Sequence, residues 1–396
     1  MNPPLSRSLS EVLDQPVPLP PPGGYAHLET EGAGRPQSTS KDGRRRAGSA
    51  LPDVQSQIDA LRRPRHRWVL GGMAAALGVF VVIGAGAGAF QIPAGQVLGI
   101  LAGTIGLDLG IEIEGRYELV LMGIRMPRVL LAVVAGMGLS LSGALMQGLF
   151  RNPLADPALI GVSSGASFGA SVMIVLGSTL PGFLASVLGT FSIALSAFAM
   201  GLLVTVVVFR IATRGARTSV STMLLAGIAL NAICGAGTGG LILFSNDSQL
   251  RDLTFWSLGS LGSATWQSLA VVAPFTLFTL LVSPRLARSL NAMLLGESEA
   301  AHLGIRTETI KRTVVVLAAL TVGSLTALTG LIGFVGLVVP HLVRLTLGPD
   351  HRILLPASAL LGAMLMVGAD TLARILLQPA EIPIGILTAL AGAPFF

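Results

Sequence analysis

From Pro157 to Phe209 the chain runs without a single Asp, Glu, Lys, Arg or His. In water such a stretch would have to be wholly interior. In a bilayer it is long enough for two crossings of about 20 residues each, with Pro181-Gly182 as the turn between them. Apolar runs recur at Val69–Phe90, Val129–Phe150, Thr218–Asn246, Leu269–Val282 with its flanks, Thr313–Val343, Ile353–Leu377 and Ile382–Phe396, with Asp370 and Arg374 near the end of the run at Ile353–Leu377. Of the whole chain, 52% is hydrophobic and 12% charged, about half the charged share of a soluble domain. The fold class is therefore an all-α integral membrane protein.

Charge placement sets the number of spans. Lys311 and Arg312 precede Thr313–Val343, and Arg344 and Arg352 follow it. Basic loops favour the cytoplasmic side, so both ends of this run lie inside and it must cross twice, breaking near Gly330, Gly333 and Gly336. The expectation is ten transmembrane helices with a cytoplasmic amino terminus. Arg116, Arg125, Arg128, Arg251 and Arg374 then stand out as basic residues on the outer side. Ile382–Phe396 is short for a crossing, which suggests a clipped carboxyl end.

Residues 1–66 read differently. VPLPPPGG, EGAGRPQSTS and KDGRRRAGSA are Pro-, Gly-, Ser- and Arg-rich, and such a segment buries too little apolar surface to offset its ordering entropy. We expect a disordered cytoplasmic tail over 1–66 and a membrane domain over 67–396. The first apolar run starts at Trp68, too late for a cleaved secretory signal.

Several chemistries are excluded. The single cysteine, Cys234, allows no intrachain disulfide, and no His or Cys spacing suggests a metal site. Basic residues do not alternate with aromatics, so no nucleic-acid partner is expected. Ser163, Ser164 and Ser167 have no His or Lys spaced to activate them, so no catalytic residue is assigned. No GxxxxGK[ST] stretch is present, so this chain cannot hydrolyse ATP itself. The sole ionisable residue inside an expected span is Asp370, with Arg374 one turn on, a spacing for local neutralisation. That argues against an ion-coupled secondary carrier, the rival class of transporter.

Small residues recur every fourth position: Gly136, Ser140, Ala144 and Gly148; Gly161, Gly165 and Gly169; Gly227, Asn231, Gly235 and Gly239. In lipid, close backbone approach at such residues is what packs helices. Asn231 is the exception in kind, a mid-span amide that needs a partner or a polar route.

Five stretches in order carry a family resemblance: RMPRVLLAVVAGMGLSLSGALMQGLFRNPLADPALIGVSSGA, FWSLGSLGSATW, LNAMLLGESEAAHLGI, GLIGFVGLVVPHLVRL and AEIPIGILTALAGAPFF. Together they resemble the FecCD-type permeases of ABC importers for iron-siderophores, haem and vitamin B12. The resemblance covers Trp68 to the end. It implies a type II importer permease of ten helices working as a homodimer. Two ATP-binding cassette ATPase subunits would sit below and a periplasmic binding protein above, in a bacterial inner membrane. No cofactor is bound permanently; ATP belongs to the partner subunits.

The resemblance also assigns residues. Leu294, Gly296, Glu297, Ala300 and Gly304, within a coupling loop at about 290–305, would engage the ATPase. Arg125, Arg128 and Arg374 would pair with acidic residues of the binding protein. Asn152 would belong to the cytoplasmic gate. The family's other gate residue is a small hydroxyl before the fifth span, where this chain has Val220 flanked by Ser219 and Ser221. Asn231 is a candidate for the pathway, and Glu381, Pro383 and Gly385 match the family's E-x-P-x-G lead into the last helix. Pro340-His341 matches another signature, with His341 structural. The motif wording leans toward haem as the solute, with iron-siderophores and vitamin B12 as alternatives.

Overall fold

The computed structural model describes residues 54–177 and 189–395, with side chains from His66 onward. The chain divides after Gln57, and Ile58–Phe396 form one unit. Among the described residues, strand is confined to one two-residue hairpin, and helix accounts for nearly everything else.

The first helix, α1 (Val54–Gly86), begins well before the boundary expected at residue 67. VQSQIDALRR lacks the Pro, Gly and Ser density of the preceding stretch and is rich in helix formers, so the helix extends back through it. The unstructured reading of residues 1–53 lies outside the described residues. A short helix, α2 (Ala94–Thr104), follows in a stretch where no element was expected.

The second span is longer than its uncharged run. Helix α3 (Gly115–Val120) passes through a π-helical turn at Leu121–Arg125 into α4 (Met126–Phe150), one continuous apolar rod of 36 residues. Arg116, Arg125 and Arg128 therefore lie on helix, where a loop was expected. The wide turn sits just ahead of Pro127, whose nitrogen has no hydrogen to return to the preceding turn. One carbonyl exposed by this arrangement, Met122 O, instead accepts from the indole Nε1 of Trp266 at 2.9 Å.

Helices α5 (Val162–Leu176) and α6 (Ser192–Ala212) fill the long uncharged run; the expected turn at Pro181-Gly182 lies outside the described residues. A hairpin of β1 (Thr213–Arg214) and β2 (Arg217–Thr218), paired antiparallel with Thr213 opposite Thr218, leads into α7 (Val220–Leu243). Helix α8 (Asp247–Leu258) opens on a capping box between Asn246 and Gln249. Then come α9 (Trp266–Met293), the short α10 (Glu297–His302) and α11 (Thr307–Thr329). The expected break after α11 falls at Gly330, with φ of 71°, and is followed by α12 (Val335–Leu347). Helices α13 (His351–Ile375) and α14 (Ile384–Gly392) complete the chain.

Among the described residues, seven helices are long and apolar enough to cross a membrane, and four shorter apolar helices are α2, α5, α12 and Ile384–Phe395. Helix α4 lies at the centre, its Ala132, Ala135, Leu141, Ala144, Leu145 and Met146 fully buried. Two of its glycines are contact points. A Cβ on Gly136 would lie 2.1 Å from Gly362 O of α13, and one on Gly143 would lie 1.7 Å from Gly336 O of α12. On α5, Gly165 and Gly169 meet Gly201 and Ser196 of α6 in the same way. The seams read from spacing are thus real packing surfaces. On α7 the seam splits: Gly227 abuts Leu159 O, whereas nothing among the described residues lies within 4 Å of a Cβ on Gly235 or Gly239.

Candidate functional site: two charged clusters and a polar crossing

Helix α10 is delimited by two glycines in conformations that L side chains avoid, Gly296 at φ 129° and Gly304 at φ 80°. Leu294 closes α9 just before the first. Ala300 is fully buried and anchors α10 in the core, while Leu295 and Leu303 are 70% and 65% exposed. One face of this loop is therefore fixed and the other presents leucine outward.

Glu297, in the first turn of α10, is held from the inside. Its Oε2 accepts from Lys311 Nζ at 2.7 Å. Lys311 was expected in a loop; α11 instead starts at Thr307, and the lysine is 1% exposed. Its ammonium also donates to Glu308 Oε1 at 3.0 Å and to Thr218 O at 2.7 Å. Glu308 Oε2 in turn accepts from Thr218 N at 2.9 Å.

Thr218 directly precedes the gate candidates. Ser219 is the N-cap of α7: its Oγ accepts from Thr222 N at 3.2 Å. Ser221 is exposed in the next turn. Asn152 is exposed too, and its Oδ1 accepts from Leu154 N at 2.9 Å, closing an Asx turn after α4. Among the described residues no hydrogen bond joins Asn152 to Ser219 or Ser221. Nearby in sequence, Asp156 caps the 3₁₀ turn Pro157–Ile160 through Ala158 N at 2.8 Å. Burial pushes its carboxyl above the usual carboxylate range, partly offset by that hydrogen bond.

A polar network beside α10 was not foreseen. Asn291 Nδ2 donates to Asp350 Oδ1 at 2.7 Å, and Asn291 Oδ1 accepts from His351 N at 2.9 Å. Burial works against the Asp350 carboxylate, but the hydrogen bonds from Arg352 N and Asn291 hold it below the ordinary value. The fully buried His351 ring lies where a Cβ on Gly148 would come within 2.5 Å of its Nε2. Gly148 is thus small because His351 is there.

Asn231 is spoken for. Its Nδ2 donates to Ala158 O at 3.2 Å, and its Oδ1 accepts from Ser164 Oγ. The mid-span amide ties α7 to the start of α5.

The three outer arginines are brought together, but not as free docking cations. Arg125 is 7% exposed and donates to the backbone oxygens of Ala85, Ala87 and Phe90 at the end of α1. Arg374 is 8% exposed and donates to Asp370 Oδ2 at 3.0 Å, Ala87 O at 2.7 Å and Gly84 O at 2.8 Å. Arg128 gives Nε to Asp370 Oδ1 and both terminal nitrogens to Glu381, each at 2.9 Å. Each guanidinium is engaged by partners within the chain. The reason is the carbonyls at the end of α1, which need donors where the helix stops, and the Asp370 carboxylate, which could not be buried unpaired.

Glu381 is the exposed edge of this cluster, its side chain 47% accessible. The Arg128 hydrogen bonds, opposed by partial burial, hold its carboxyl below the usual range. Arg128, Asp370 and Glu381 line a cavity of about 160 Å³ with Phe255, Ser260 and Ile382. In sequence, only the Asp370–Arg374 spacing hinted at this network. Its other partners lie far apart along the chain.

A bundle of apolar helices with small-residue seams and two buried ion-pair clusters defines a multi-pass membrane protein. Residues 76–396 match the FecCD transport family, and the chain belongs to that family. Its members are permease subunits of ABC importers, whose ATPase is a separate subunit. The chain is 48% identical over 275 residues to the hemin transport system permease protein of Yersinia pestis, covering 69% of this chain and 81% of that protein. It is 41% identical over 273 residues to the cobalamin import system permease protein of Halobacterium salinarum, covering 69% and 71%. A solved structure described as an inward-facing metal-chelate type ABC transporter superposes with a TM-score of 0.72 at 32% identity, covering 83% of this chain and 97% of that one.

Proposed function

We propose that this chain is the permease subunit of an importer that moves haem from a periplasmic binding protein into the cytoplasm. It works as a homodimer on two ATP-binding cassette ATPase subunits, in a bacterial inner membrane, with its amino terminus and α10 on the cytoplasmic side. The observation that carries the ATPase docking is α10 itself. A short helix between two glycine hinges, anchored by Ala300 and Glu297 and presenting Leu295 and Leu303, is a rigid lever with an apolar face in need of a partner. Gly235 and Gly239 of α7, open in the single chain, supply a small-residue surface for a second copy or for the solute route.

Haem as the solute is supported by the 48% identity to the hemin permease, against 41% to the cobalamin permease. The margin is modest, and vitamin B12 or an iron-siderophore is the second reading. A carrier driven by an ion gradient is disfavoured, because Asp370 is locked between Arg128 and Arg374. The test is uptake into proteoliposomes containing the permease with its ATPase, supplied with binding proteins loaded with haem, cobalamin or a ferric siderophore. ATP-dependent uptake of haem alone is expected. Uptake of cobalamin or siderophore in its place would reassign the solute, and uptake driven by a proton or sodium gradient without ATP would overturn the class.

A further inference from the structure

Lys311 is a buried cation whose three partners belong to three different elements. An ammonium has three N–H donors and no acceptor. Here one goes to Glu297 of α10, one to Glu308 of α11 itself and one to the backbone oxygen of Thr218 in the hairpin. The Thr218 peptide is gripped on both faces, because its N–H donates to the second oxygen of Glu308. The next residue, Ser219, caps α7. Through Lys311, α10 and the first turn of α7 therefore share a compact buried group. No other hydrogen bond among the described residues joins α10 to the hairpin.

We propose that Lys311 is a positioning residue that passes displacement of α10 to the hairpin and so to α7. The proposal rests on the reading of α10 as the ATPase-contacting helix. Two features make the link directional. Lys311 is 1% exposed, whereas the Glu297 and Glu308 side chains are 35% and 36% exposed. The cation is fixed and the carboxylates are the parts free to change partners. A charge-assisted bond of 2.7 Å to a buried ammonium is also stiff and short-ranged. A shift of α10 by more than about an ångström must therefore drag Lys311, and Thr218 with it, or release Glu297 to solvent.

The experiment uses the full complex of permease and ATPase in nanodiscs. It compares wild type with Glu297→Gln, which keeps the side chain's shape and removes its charge, and with Lys311→Arg. Hydrogen exchange is followed at 294–304 and at 213–222, with and without a non-hydrolysable nucleotide. In wild type, nucleotide is expected to change exchange in both segments. In Glu297→Gln the response at 294–304 should persist while that at 213–222 falls at least fivefold. Solute moved per ATP hydrolysed should fall about tenfold. Lys311→Arg, which keeps the charge and several donors, should retain part of the coupled response. A variant whose two segments still respond together, with transport per ATP unchanged, would overturn the link. If 294–304 fails to respond in wild type, the reading of α10 falls instead.

Discussion

Replacing Arg374 separates the two accounts of the outer cluster. If Arg374 faces a binding protein, Arg374→Gln weakens docking and leaves the permease intact. The structure gives the opposite ordering. Arg374 and Asp370 are 3.0 Å apart with side chains 7% and 2% exposed. At an effective dielectric near 20, two unit charges at that distance attract by about 5.5 kcal/mol. Much of this offsets the cost of burying them, but that cost stays when one partner is removed, and breaking a buried pair typically costs about 3–5 kcal/mol. Arg128 retains its hold on Asp370, which places the loss toward the lower figure. Against the 5–15 kcal/mol by which folded domains are stable, about 3 kcal/mol is a large share.

The assay is thermal unfolding in detergent beside binding-protein affinity, for Arg374→Gln, Arg125→Gln and Arg128→Gln. Substitution of the two buried residues, Arg374 and Arg125, should lower the unfolding midpoint by several degrees. Arg128→Gln, which also frees the exposed Glu381, should combine a smaller loss of stability with any effect on docking. Wild-type midpoints for Arg374→Gln and Arg125→Gln, together with lost affinity, would refute the reasoning and restore the docking role.

Three further outcomes are expected. Gly143→Ala brings a Cβ to 1.7 Å from Gly336 O, so α4 and α12 must part until that pair reaches the roughly 3.3 Å of a close C···O contact, at a cost of about 1–3 kcal/mol in heat stability; Gly235→Ala, facing open space, should leave stability within about 0.5 kcal/mol. Asp156 has a raised folded-state value, so the folded chain holds the proton more tightly, and stability falls as pH rises above the ordinary aspartate value of about 3.9 and through the folded one; Asp156→Asn keeps the cap and should flatten that part of the stability profile. Glu381 has a lowered value, so its contribution is present above its unfolded value of about 4.3 and is lost as pH falls through the folded one; Glu381→Gln should remove that acid-limb dependence.

Much of the bundle was legible because lipid leaves few options for an uncharged run. The break at Gly330 followed from basic residues on both flanks, and the α4 and α5 seams followed from four-residue spacing. What could not be read is where charge was concealed inside helices. Arg125 and Arg128 lie in the rod from Gly115 to Phe150 because a π turn before Pro127 lets helix continue. Lys311 lies within α11 because Glu297, Glu308 and Thr218 O compensate it. Rules that read each charge as a loop marker fail when its partners come from elsewhere in the chain. The α10 loop was readable through the resemblance, because Leu294, Gly296, Glu297, Ala300 and Gly304 match the family pattern in the sequence itself.

The location of charge also bears on how such a permease obtains its energy. A carrier that couples to protons or ions needs an ionisable group that is exposed to each side in turn and whose partners change during the cycle. Asp370 has Arg128 and Arg374 on its two oxygens, and protonating a carboxylate so clamped would leave the buried Arg374 without its counter-charge and Arg128 with Glu381 alone. Lys311, similarly compensated, sits against the short helix between glycine hinges, with its carboxylate partners a third exposed. One cluster is built to hold still, and the other is built where force from outside the membrane would arrive. That division fits a gate moved through α10 by a separate ATPase better than one moved by a titrating group in the bilayer, and it predicts that Asp370→Asn, unlike Glu297→Gln, lowers stability without altering solute moved per ATP.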